Sequence, residues 1–109
     1  PSFAKVIFEV LDGDREIIPG IEVISTPGHS PGHQSVMVKG NQTKYIIAGD
    51  ACLCYENLMP DEYKNIEFRM IGRYMDANNA WRSLERLKEL SDNILPGHEA
   101  GVFQKKAYE

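Results

Sequence analysis

The stretch Ser25-Thr26-Pro27-Gly28-His29-Ser30-Pro31-Gly32-His33-Gln34-Ser35 constrains this chain more than any other. On an unbroken helix, histidines four apart would share a face and would read as the zinc pair of a metalloprotease. Pro31 and Gly32 lie between them, and a helix through that pair is costly. The segment is therefore a tight loop. Apolar runs, Ile21 to Ile24 and Val36 to Val38, enter and leave it, so it joins two strands. A stiff loop of this kind suits a ligand that must not move.

The remainder of the chain is read around that loop. Phe3 to Val10 is apolar and β-prone, so it predicts a strand, with Asp12-Gly13 as the turn after it. Arg15 to Ile18 then pairs back, Pro19-Gly20 turns, and Ile21 to Ile24 delivers the loop. Strands over Gln34 to Lys39 and Lys44 to Ala48 follow, joined at Gly40-Asn41. Residues 51–73 show no clean period, and a loop with one short helix from Asp61 onward is expected. Asp76 is a good N-cap. Trp81, Leu84, Leu87 and Leu90 then predict an amphipathic helix over 77–90 that covers one face of the sheet. Ile94-Leu95 is a short buried strand, and the tail from Ala100 lies at the surface.

At 109 residues the chain is one small domain or part of a larger one. A net charge of −4 without any Lys/Arg run argues against nucleic acid and against anionic membranes. No apolar stretch approaches the roughly 20 residues of a membrane span. The chain begins at Pro1 rather than Met, so the lack of a leader pattern carries no weight. Cys52 and Cys54 are too close for an easy disulfide and read as free thiols of a reducing, cytoplasmic compartment.

Three histidines are present, and each follows a Pro-Gly pair: His29, His33 and His98. Asp50 follows Gly49 at the end of an apolar strand. Loops at strand ends are where α/β sheets place their sites. Imidazole and carboxylate together suit zinc, iron or manganese. The bland alternative is that the histidines cap strand ends and Asp50 starts a turn. Ser30 and Ser35 read as turn formers.

Thr26-Pro-Gly-His-Ser-Pro-Gly-His33, Ala48-Gly-Asp50 and Leu95-Pro-Gly-His98 come in the order and spacing of one family. The chain resembles the second half of the metallo-β-lactamase fold superfamily over essentially its whole length. Residues 49–58 and 82–88 look closest to the N-acyl homoserine lactonase branch. The resemblance implies an α/β fold of the αββα type, of which residues 1–109 would form one sheet-plus-helix half. It implies two divalent metal ions, zinc or alternatively iron or manganese. His29 would bind the first, His98 the second, and Asp50 would bridge them. His33 would orient the loop by hydrogen bonds. A metal-bridged hydroxide would then attack a lactone or ester carbonyl.

The same resemblance exposes a gap. The family's upstream His-x-His-x-Asp-His motif is absent, so this chain alone would coordinate its metals incompletely. It would need an N-terminal half, or another chain, to complete core and site. The family's Tyr three residues after the bridging Asp is Leu53 here, and Tyr55 is the candidate to donate to substrate in its place. Leu53, Tyr55, Leu58, Met59, Tyr63 and Phe68 could wall an acyl-chain pocket or else cover the core of the missing half. Two other functions stay open: a thioesterase of the hydroxyacylglutathione hydrolase kind, and a non-catalytic half-domain.

Overall fold

Five short strands lie side by side in chain order. The structure, a computed structural model, describes residues 5–108. Strands β1 (Arg15–Ile18), β2 (Ile21–Ser25), β3 (Gln34–Lys39) and β4 (Lys44–Gly49) form an antiparallel meander. Strand β5 (Ile94–Pro96) adds to β4 in parallel. A parallel neighbour cannot be reached by a hairpin. The return is made through the irregular segment after Asp50 and helix α1 (Ala77–Leu90). This is the expected α/β arrangement of sheet plus helix.

Asp76 caps α1 by accepting the Asn79 N–H at 2.9 Å. Leu84 and Leu87 are fully buried against Ile24, Met37, Ile46, Ala48 and Ile94, as their spacing predicts. Each contributes about 1.5–3 kcal/mol through the apolar surface it removes from water. Trp81 packs at the margin of this core, edge-on to Phe68 with ring centroids 5.5 Å apart. Cross-strand register puts Glu22, Met37, Ile46 and Ile94 on the helix-covered face. Val23, Val36, Ile47 and Leu95 share the other face. That face is apolar but poorly covered: Ile47 is 49% exposed although β4 is flanked on both sides.

Helix α1 also holds the loop that follows β2. Ser83 Oγ donates to the Pro27 carbonyl at 2.6 Å. The Gly28 carbonyl accepts from the amides of Met75 and Asp76 at 2.8 and 3.0 Å. Gly28 has φ 136°, and any Cβ there would collide with the Ala80 backbone. One turn further on, Arg86 donates to the Ser25 carbonyl and forms a two-pronged pair with Asp14, which also accepts the Ser25 N–H.

Several expectations are corrected. No strand forms over residues 5–10, while Phe3 and Ala4 lie outside the described residues. Ile7 is 98% exposed there; β propensity yields a strand only where a neighbouring strand offers a ladder. The short helix from Asp61 is replaced by a tight turn closed by an Asp61–Ile66 bridge, with Asn65 left-handed at φ 54°. The 3₁₀ turns Tyr55–Leu58 and Ala100–Gln104 were not foreseen. No helix among the described residues is long and apolar enough to cross a membrane.

The Arg86 guanidinium holds the Asp14 carboxyl below its ordinary value of 3.8. A depressed carboxylate pKa stabilises the fold above the ordinary value, and that stability is lost as pH falls through the folded one. Both side chains are partly exposed, which limits the effect. Arg86→Ala should cost about 1 kcal/mol at neutral pH. Its deficit against the parent should shrink as denaturation curves are taken below that carboxylate range.

Candidate metal centre

The ends of β2, β4 and β5 bring three of the expected residues together. The Asp50 carboxylate presents one oxygen to each of two imidazoles. His98 Nε2 lies 2.8 Å from Oδ1, and His29 Nε2 lies 3.4 Å from Oδ2. His29 is the more enclosed of the two rings.

Each ring is placed by backbone. Gly97 N–H and His98 N–H donate to the Cys52 and Leu53 carbonyls, both at 2.9 Å, so the β5 loop runs beside the segment after Asp50. Gly97 packs so closely on Gly49 that a Cβ would overlap the Gly49 carbonyl. Glu99 accepts the Tyr55 N–H at 3.1 Å and extends this pairing. Buried Asn57 secures the irregular segment from within: its carbonyl oxygen accepts from the amides of Leu53 and Cys54, and its NH₂ donates to the Arg69 carbonyl. Sequence reasoning passed over Asn57. An amide side chain within the aperiodic stretch, able to bond main-chain groups on both sides, was the available signal.

His29 Nδ1 lies 3.0 Å from the Arg73 carbonyl. A carbonyl only accepts, so Nδ1 carries a proton. In the neutral ring Nε2 then presents a lone pair to the Asp50 carboxylate. Two lone pairs facing each other repel unless a cation lies between them. Two donors at about 2.0–2.1 Å on one tetrahedral ion stand roughly 3.3 Å apart, close to the observed separation. The 2.8 Å contact on the other oxygen is a charge-assisted hydrogen bond from His98 Nε2–H, whose proton a cation at that nitrogen would replace. The donor set thus suits two cations sharing one carboxylate, with one imidazole each. No group of three His, Cys, Asp or Glu side chains among the described residues could hold an ion alone. The fit is therefore to half a site, since each ion would want four or more ligands.

The other candidates lie apart. The His33 ring sits behind Asp50, with Nδ1 2.9 Å from Thr26 Oγ1 and Nε2 accepting the Asp50 N–H at 3.0 Å. Burial, the largest influence, keeps His33 below its ordinary 6.5 despite the nearby Asp50 charge. Ser35, read from sequence as a turn former, is a buried residue of β3 that donates to the Ala48 carbonyl at 3.0 Å. Cys52 is buried, which pushes its thiol up to about 12; it is no thiolate ligand at neutral pH. The structure does not bring Tyr55 to the cluster. It lines a second cleft with Tyr45, Lys105 and Tyr108, because the 3₁₀ turn it begins carries it away from Asp50. A cleft of about 420 Å³ opens beside His29, lined by Gly72, Arg73, Tyr74 and Met75. The apolar wall expected from residues 53–68 is not its lining: Phe68 and Leu58 pack on the chain's own core, and Tyr63 is 99% exposed.

No family model matches the chain. It is 36% identical over 105 residues to an N-acyl homoserine lactonase of Bacillus thuringiensis, covering 92% of this chain and 38% of that protein. It is 34% identical over 86 residues to a probable metallo-hydrolase of Methanocaldococcus jannaschii, covering 79% of this chain and 37% of that one. Among solved structures, an N-acyl homoserine lactone hydrolase with N-hexanoyl-L-homoserine at its catalytic metal centre superposes with a TM-score of 0.70 and 31% identity. The match covers 88% of this chain and 37% of that one. The chain thus spans well under half the length of these relatives.

Half a site should bind metal weakly. Metal analysis of the isolated 109-residue chain after dialysis should find less than one tightly held zinc. Two retained ions per chain would mean that further ligands exist within it. Gly97→Ala should leave the helix signal in circular dichroism intact while weakening zinc binding further, because a Cβ forces the His98 loop off Gly49.

Proposed function

The chain belongs to the metallo-β-lactamase fold superfamily, and from that premise we propose that it is the C-terminal half of a metal-dependent hydrolase that opens the ring of an N-acyl homoserine lactone. The observation that carries this reading is the Asp50 carboxylate offering one oxygen to His29 and the other to His98. His29 with Oδ2 would hold one divalent ion, and His98 with Oδ1 the other. The nitrogen and oxygen donors suit zinc, with iron or manganese as alternatives. When bound, the pair would supply Lewis acidity at a carbonyl and water activated at neutral pH.

This chain's own residues do the rest. The Arg73 carbonyl accepts from Nδ1 of His29 and so leaves Nε2 as the nitrogen turned to the carboxylate. Asp50 sets how far apart the two imidazoles can stand. The cleft beside His29 admits the substrate, with Tyr74 and Met75 offering apolar contact and Arg73 a polar rim. Tyr55 has no part in this scheme, because it lines the other cleft. The missing ligands would come from an upstream segment outside these 109 residues. The same segment would cover the open sheet face of Val23, Val36, Ile47 and Leu95.

The full-length gene product, loaded with zinc, should be given a homoserine lactone, a simple γ-lactone and an acyl-glutathione side by side. The homoserine lactone should have the highest kcat/KM. An acyl-glutathione preferred by orders of magnitude would make the protein a thioesterase instead. Asp50→Ala should lower lactone turnover about a hundredfold or more and release both ions together. Full turnover with metal still bound would remove Asp50 from the centre.

A further inference from the structure

Four hydrogen bonds run behind Asp50, and each has one possible direction. The Asp50 main-chain N–H can only donate, so His33 Nε2, 3.0 Å away, accepts and carries no proton. His33 must hold its proton on Nδ1 and donate it to Thr26 Oγ1 at 2.9 Å. At the other end, the Ala48 carbonyl can only accept, so the Ser35 hydroxyl proton is committed to it at 3.0 Å. Ser35 Oγ has only lone pairs left, and the Thr26 hydroxyl, 2.8 Å away, donates to one of them. The order is Asp50 N–H, His33, Thr26, Ser35, Ala48 carbonyl.

The chain of bonds begins and ends two residues apart on the same strand end, so it closes a ring around Gly49. Gly49 has φ 58°, and a Cβ there would stand 2.9 Å from His33 Nε2. Thr26 and Ser35 are 0% and 1% exposed, so water cannot replace either partner. A broken link would leave a buried polar group unpaired. Such a ring holds the strand end in one bend, and Asp50 is the residue that leaves the bend.

We infer that Thr26 and Ser35 are positioning residues which, through a His33 locked as the Nδ1–H tautomer, fix the bend at Gly49 and aim the Asp50 carboxylate at His29 and His98. The functional meaning of this device rests on the metal role proposed for Asp50. The geometry itself does not. Neither hydroxyl touches substrate or metal; both act through His33 and the Asp50 amide.

The test uses the full-length gene product labelled with ¹⁵N-histidine. Long-range ¹H–¹⁵N spectra should show His33 protonated on Nδ1 and bare on Nε2. Thr26→Val removes the hydroxyl while keeping a branched side chain. It should speed hydrogen exchange at the Asp50 amide and lower zinc affinity, measured against a competing chelator, by about 10- to 100-fold. Thr26→Ser should restore both. Ser35→Ala should repeat the Thr26→Val losses, and it serves if Thr26→Val fails to fold. A His33 protonated on Nε2 in the parent protein would overturn the inference. So would a folded Thr26→Val protein with parental zinc affinity. Zinc affinity and tautomer are read without any substrate, so a parent protein that opens no lactone would count against the proposed reaction alone.

Discussion

Asp50 places two carboxylate oxygens between two imidazoles, and the rest of the structure is arranged to make that possible. The carboxylate stands at the end of β4, partly exposed, with an imidazole at each oxygen. Its partners come from two other strand ends, so three loops must reach one point. Backbone must meet backbone there, as Gly97 does on Gly49 and Gly28 does on Ala80. A Cβ at Gly97 would push its loop off Gly49, and one at Gly28 would push the His29 loop off helix α1. The parallel pairing of β4 and β5 brings two of the ends together, and the antiparallel meander brings the third.

Helix α1 serves two purposes with neighbouring stripes. Leu84 and Leu87 fill the core beneath the sheet, while Ala80, Ser83 and Arg86, spaced by three, hold the chain from Ser25 to Gly28. Core burial and site placement are therefore coupled. A substitution that tilts α1 would move His29 without touching it. This coupling is also why the loop can be stiff despite its two Pro-Gly pairs: main-chain groups of Ser25, Pro27 and Gly28 are all bound by α1 or its N-terminal approach.

Much of this was legible in the residues. Apolar runs between Pro/Gly pairs marked β2 to β5, and the spacing of Trp81, Leu84 and Leu87 after Asp76 marked α1. These signals work because burial on one face imposes a period. Of the three histidines in Pro-Gly loops, His29 and His98 meet at the Asp50 carboxylate, and His33 lies behind it. The misreadings arose where neighbours decide. Residues 5–10 have strand chemistry but no strand beside them. The segment after Asp50 is organised by Asn57 and by pairing with the His98 loop, partners more than ten residues apart that no period announces. Tyr55 was expected near Asp50 on the basis of an extended chain; the turn it opens faces it elsewhere. Ser35 looked like a turn residue beside a histidine, and its hydroxyl closes a buried ring instead.

The central claim is that His29, Asp50 and His98 hold two ions that share one carboxylate. The most direct measurement is anomalous diffraction at the metal absorption edge from crystals of the full-length gene product. The account predicts two peaks, one within bonding distance of His29 Nε2 and Asp50 and the other within bonding distance of His98 Nε2 and Asp50, with His33 bonded to neither. A single peak away from Asp50, or one ligated by His33, would contradict it.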